Sequence, residues 1–137
     1  FIDCPPALSL LTVMAMTAAT SVIVPLQCEF FALEGLSQLI KTIDRVRQNL
    51  NPILNIDGIV LTMFDKRNKL SSQVAHDVRT HLKEQVYETI IPRNVRMSEA
   101  PSFGLPALMY DHNASGSQAY IALANEIMKQ NKTQEAA

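Results

Sequence analysis

Ser21-Val22-Ile23-Val24-Pro25 is a β-branched run with no polar alternation, the pattern of a strand buried on both faces of a parallel sheet. Ile59-Val60-Leu61-Thr62-Met63 repeats it, so two such strands are expected. Between them Leu33, Leu36, Ile40, Ile43 and Leu50 fall near one helical stripe, with Gln38, Lys41, Asp44, Arg45 and Gln48 opposite, as in a crossover helix. Residues 71–82 read as a second helix carrying Val74, Val78 and Leu82, with Ser71 or Ser72 as N-cap and Leu70 as a hydrophobic staple. A shorter strand over 86–91 stops at Pro92, and a last helix covers about 117–130 through Tyr120, Ile121, Leu123, Ala124, Ile127 and Met128. Short apolar runs alternating with helical segments specify an α/β fold, a doubly wound, mostly parallel sheet with helices on its faces.

At the chain's start, Phe1-Ile2-Asp3 reads as the end of another strand, turned by Cys4-Pro5-Pro6. It begins inside an element, so a segment upstream of Phe1 is expected to be missing. Strand ends then recur at Asp3, Leu26, Asp65 and Ile91. In open α/β sheets the carboxyl ends of the strands form the ligand crevice, and these four turns should share one rim. Residues 1–130 read as part of a single α/β unit, and 131–137 as a polar tail that frays.

With 12 Lys and Arg against 13 Asp and Glu, the net charge of −1 excludes a histone-like protein, and any nucleic-acid contact must come from a local cluster. Hydrophobic residues at 47% of 137 suffice for a core. Cys4 and Cys28 show neither CxxC spacing nor a nearby His, so both are expected to be reduced and metal-free, with Cys4 a small buried side chain. The apolar stretch 8–26 is broken by Ser9, Thr12, Thr17, Thr20, Ser21 and Pro25 and falls short of a membrane span. No basic region precedes Phe1-Ile2, and residues 1–6 do not read as a signal peptide. His76 and His81 lie on the polar face of one helix, and with His112 they share no ligand spacing.

Chemistry is sought on the rim. A carboxylate at Asp3, on a backbone stiffened by prolines, suits a magnesium post, although a plain strand-terminating turn explains the same residues. A phosphate-cradling glycine loop is not found, since none of the glycines at 35, 58, 104 and 116 precedes a Lys-Thr or Lys-Ser pair. Met63, Pro92 and Asn94 offer an apolar slot with one hydrogen-bonding edge, or simply core and turn residues. Lys66, Arg67 and Lys69 form the densest basic cluster, and Arg93 and Arg96 a second, in a composition that also describes solvated surface. Residues 29–34, Glu-Phe-Phe-Ala-Leu-Glu, read as the start of a helix or as a protein contact.

Four blocks in order, Phe1-Ile2-Asp3-Cys4-Pro5-Pro6, then residues 24–36, then Leu61-Thr62-Met63-Phe64-Asp65, then residues 91–104 (Ile-Pro-Arg-Asn-Val-Arg-Met-Ser-Glu-Ala-Pro-Ser-Phe-Gly), resemble the ParA chromosome- and plasmid-partition ATPases. The resemblance runs from Phe1 to about Gln130 and covers the C-terminal half of that family's P-loop NTPase domain. It implies an ATPase in which Asp3 organises Mg2+ and residues 3–6, including Pro6, form a γ-phosphate-sensing switch. It implies that Met63, Asp65, Pro92 and Asn94 line the adenine of ATP, and that residues 29–34 lie near an ATP-dependent homodimer interface. Arg67 and Arg96 match positions that contact the backbone of double-stranded DNA without sequence preference, with Lys66 and Lys69 beside them. A ParB-type protein is the implied stimulating partner, and the implied setting is cytoplasmic and nucleoid-associated. The family's lysine-rich phosphate loop would lie upstream of Phe1, so the 137-residue piece alone is expected neither to hold ATP tightly nor to turn it over.

Ala7, Ser9, Met14, Thr20 and Ser115 depart from the family's commoner Ser, Gly, Asn, Asp and Arg. A MinD-like ATPase, docked on membrane by a C-terminal amphipathic helix, is disfavoured, because the end at 131–137 has no basic and bulky-apolar face. A nitrogenase-reductase relative would need cluster-binding cysteines. The remaining alternative, a truncated noncatalytic module for DNA or a partner, requires this piece to fold cooperatively by itself.

Overall fold

The computed structural model describes residues 1–5 and 9–135. Three parallel strands, β1 (Ser21–Gln27), β2 (Asn55–Phe64) and β3 (Val86–Pro92), lie side by side in chain order. They are connected through α2 (Ala32–Asn49) and α3 (Lys69–Leu82), with α1 (Leu10–Ala18) before them. After β3 come two short helices, α4 (Val95–Glu99) and α5 (Ala107–Tyr110), and the long α6 (Ser115–Glu135).

Alternation along β2 decides which helices cover which face. Ile59 and Leu61, fully buried, join Val24, Leu26, Leu36, Val74 and Val78 beneath α2 and α3. Val60, one step out of phase, joins Tyr87, Ile91 and Leu123 beneath α6. Sheets of this kind occur with both faces covered, which is why β1 and β2 are apolar without alternation. A third cluster, Met16, Ile43, Val46 and Leu54, seats α1 against α2. Asn51 locks that corner, its Nδ2 donating to the carbonyls of Met16 at 3.0 Å and Ala19 at 2.7 Å. No helix among the described residues is long and apolar enough to cross a membrane.

The β1–β2 register shifts between Val22, opposite Ile56, and Ile23, opposite Gly58, leaving Asp57 as the extra residue. The Asp57 carboxylate accepts a 2.8 Å hydrogen bond from the Tyr87 hydroxyl. Burial first, and then this bond, push the Tyr87 phenol above its ordinary value, so it stays a donor. The bare Cα of Gly58 faces the Tyr87 ring, where a Cβ would stand 2.5 Å from two ring carbons.

Among the described residues β3 is an outer strand, and the backbone N–H groups of Glu88 and Thr89 are both taken by the Glu126 carboxylate of α6, at 2.6 and 3.0 Å. Burial works to raise the Glu126 pKa, and the amide hydrogen bonds outweigh it, holding the group below its ordinary value.

Four expectations are corrected. Residues 1–3 join no strand, and Phe1 and Ile2 are exposed, because none of the described strands runs beside them to supply a ladder. The cap of α3 is Asn68, whose Oδ1 accepts from Leu70 N at 3.0 Å, while Ser71 is buried and donates to the Cys28 carbonyl, pinning α3 to the end of β1. The helix expected over about 117–130 runs from Ser115 to Glu135, since residues 131–135 contain no Gly or Pro to stop it. Cys4 is exposed; Cys28 is buried, and burial raises its thiol pKa against the pull of Arg79, which leaves it inert. Pro6, Ala7, Ala136 and Ala137 lie outside the described residues.

Candidate functional site

Parallel register brings three strand ends to one rim. Gln27 lies opposite Thr62 and Phe64 opposite Pro92; Cys28 N donates to Thr62 O, and Arg93 N donates to Phe64 O at 3.0 Å. The turns Met63-Phe64-Asp65 and Pro92-Arg93-Asn94 are thus hydrogen-bonded neighbours. Met63 has φ of 53°, a left-handed conformation costing a non-glycine residue on the order of 1–3 kcal/mol, and its side chain is 40% exposed at the rim rather than in the core.

Asn94 caps α4, its Oδ1 accepting from Arg96 N at 2.9 Å, and its Nδ2 donates to Ser115 Oγ at 2.8 Å. The amide therefore holds the rim loop to the start of α6 while keeping one N–H and one lone pair for a ligand. Gly116 makes this approach possible, since a Cβ there would overlap the Met97 side chain and stand 3.2 Å from Asn94 Cβ.

Asp65 and Arg67, expected to serve different ligands, are joined to each other. Arg67 donates from Nε to Oδ1 at 3.1 Å, from Nη2 to Oδ2 at 3.0 Å, and from its backbone N to Oδ1 at 3.0 Å. The Arg67 side chain is 91% exposed, so the fork leaves its outer face in solvent. Arg67's side-chain and backbone hydrogen bonds hold the Asp65 pKa down to about 2. A folded pKa below the unfolded value stabilises above the unfolded pKa of 3.8 and loses that contribution as pH falls through the folded one. NMR titration of the Asp65 carboxyl carbon is expected to give a midpoint near 2, returning toward 4 in Arg67→Ala; a midpoint near 4 in the unsubstituted protein would show that the fork does not persist in solution.

Arg96 lies between two carboxylates, with Nη1 3.2 Å from Glu99 Oε2 and Nε 3.6 Å from Asp111 Oδ2. Lys66, Lys69 and Arg93 are exposed, and among the described residues none of them forms an ion pair within 4.0 Å. Asp3 is exposed and outside the sheet. Among the described residues no group of three or more His, Cys, Asp or Glu converges on a metal position. A lone carboxylate is a donor set that fits Mg2+ held chiefly by phosphates and water, and does not fit an all-protein cage. The ion pairs of Arg67 and Arg96 were missed from sequence, though the i,i+3 spacing Arg96-x-x-Glu99 could have signalled the second of them.

A parallel sheet flanked by helices, with its loops gathered at the carboxyl ends of the strands, is the architecture of the P-loop nucleotide hydrolases. A crystal structure of cobyrinic acid a,c-diamide synthase from Mycobacterium smegmatis superposes with a TM-score of 0.73 at 34% identity, over 96% of this chain and 47% of that one. The same enzyme has been crystallised with an ATP analog and magnesium. A family model described as an AAA domain matches residues 1–56. The chromosome partitioning protein ParA of Caulobacter vibrioides is 63% identical over 135 residues, 98% of this chain and 51% of the relative. That of Myxococcus xanthus is 58% identical over 128 residues, 93% of this chain and 45% of the relative. Along nearly its whole length the chain is similar to the ParA-type chromosome partitioning proteins, and it spans about half the length of the curated relatives it matches.

Proposed function

We propose that the gene product carrying this chain is a magnesium-dependent partition ATPase that pairs into a homodimer on ATP, coats double-stranded DNA without sequence preference, and is stimulated by a ParB-type partner. The observation that carries this reading is the hydrogen-bonded adjacency of the Met63-Phe64-Asp65 and Pro92-Arg93-Asn94 turns on one rim, with Arg67 and Arg96 two residues beyond each. In it Met63 and Pro92 offer the adenine apolar surface, and the free N–H and lone pair of Asn94 offer its polar edge. Asp3 is the carboxylate for Mg2+, which supplies charge neutralisation of the phosphates. Residues 3–6 report on the γ-phosphate, and Lys66, Arg67, Lys69 and Arg96 face DNA phosphates. Pairing two protomers doubles the phosphate contacts, so affinity that is negligible for one becomes substantial for two. The protein then works in the cytoplasm, on the nucleoid.

The test is duplex binding by the complete gene product with ATP and Mg2+, with ADP, and with neither, across rising salt. Tight binding with ATP and Mg2+ alone, falling steeply with salt and accompanied by slow hydrolysis, is expected. Equal binding in all three conditions would reject the nucleotide gate, and no ATP turnover would reject the enzyme.

A further inference from the structure

We propose that Glu99 and Asp111 are built-in counter-ions of Arg96, which a DNA phosphate must displace, and that they set the DNA affinity of this loop; the proposal rests on the reading of Arg96 as a phosphate contact. Both carboxylates are held in place by other groups. Glu99 Oε2 also accepts from the Tyr110 hydroxyl at 3.2 Å, and the Tyr110 ring stacks on Phe103 with centroids 5.0 Å apart. Asp111 Oδ1 accepts from the backbone N–H of Asn113 and of Ala114, both at 3.1 Å. The guanidinium is the more exposed partner, 58% against 40% for Glu99 and 34% for Asp111. Arg96 is therefore the group that swings, and the acids stay where the fold puts them.

Solvent-exposed ion pairs are weak, so a polyanion that concentrates cations at its surface can outcompete them. Two carboxylates on one guanidinium nonetheless oppose the exchange more than one does. Among the basic side chains proposed to face DNA, Arg96 is the one with two carboxylates within 4.0 Å: Arg67 has a single carboxylate, held by a bidentate fork, and Lys66 and Lys69 have no ion pair among the described residues. The loop as built holds Arg96 back from weak or isolated anions and yields it to a dense phosphate array.

The test uses the complete gene product with ATP and Mg2+, and the double substitution Glu99→Gln with Asp111→Asn. Both amides keep the oxygen that accepts from Tyr110, Asn113 and Ala114, and an unchanged melting temperature checks that the loop is intact. Duplex affinity is expected to rise about two- to fivefold. The same two changes made together with Arg96→Ala should give no gain over Arg96→Ala alone. A gain that survives Arg96→Ala would mean that removing negative charge acts at long range, and would overturn the counter-ion role; so would an unchanged affinity in the double variant. If Arg96→Ala by itself leaves DNA binding intact, the reading of Arg96 as a phosphate contact fails, and this inference with it.

Discussion

With Arg67 and Arg96 both replaced by Ala, the complete gene product is expected to lose the ATP-dependent, salt-sensitive association with duplex DNA proposed above while keeping its nucleotide affinity. In a dimer the two substitutions remove four guanidinium contacts. Each phosphate contact contributes about 0.9 to the slope of log affinity against log salt, so the slope should flatten by about 3 to 4. Such a change turns measurable binding at physiological salt into background. Nucleotide affinity should hold, because the Arg67 guanidinium stands in solvent and Asp65, freed of it, remains ionised at neutral pH. Arg67→Lys keeps the charge but not the fork, and should fall between. Binding isotherms at several salt concentrations decide the matter: an unaltered slope would remove both arginines from the DNA surface.

Gly58→Ala should cost about 3 kcal/mol of stability, read as a lower denaturant midpoint at unchanged slope. The new methyl would sit 2.5 Å from Cε2 and Cζ of Tyr87 and 2.9 Å from its hydroxyl. Tyr87 cannot yield, since it is 1% exposed, wedged among Val60, Ile91 and Leu123, and anchored by its bond to Asp57. Relief therefore requires breaking the Tyr87–Asp57 bond or spreading β2 from α6. The combination with Tyr87→Ala should cost clearly less than the two single changes added together, because each removes what the other collides with. A Gly58→Ala protein as stable as its parent would mean that the ring moves aside freely.

The strands read at 21–25 and 59–63 and the crossover between them were legible in sequence because burial on both faces writes itself into composition. Phe1-Ile2-Asp3 looked the same locally, yet joined no ladder, since pairing depends on a partner that composition does not name. The cap of α3 was misplaced by three residues because Ser71 and Asn68 are both good caps, and only the position of the Cys28 carbonyl shows that the serine is engaged elsewhere. Three of the four expected strand ends share the rim, and the fourth, Asp3, lies outside the sheet. What the rim side chains do with one another was not legible, because the clasp of Arg67 on Asp65 and the double hold on Arg96 depend on rotamers. The Gly58–Tyr87 fit was equally hidden, as it needs the register of β2 on β3.

The bond from α6 to the outer side of β3 bears on how such a protein avoids self-association. Amides left open on a flat border strand template the addition of foreign strands and the growth of fibrils. Here the two amides at the middle of that border are occupied by one side chain reaching in from a helix, so a stray peptide would have to evict an ionised acid before it could zip on.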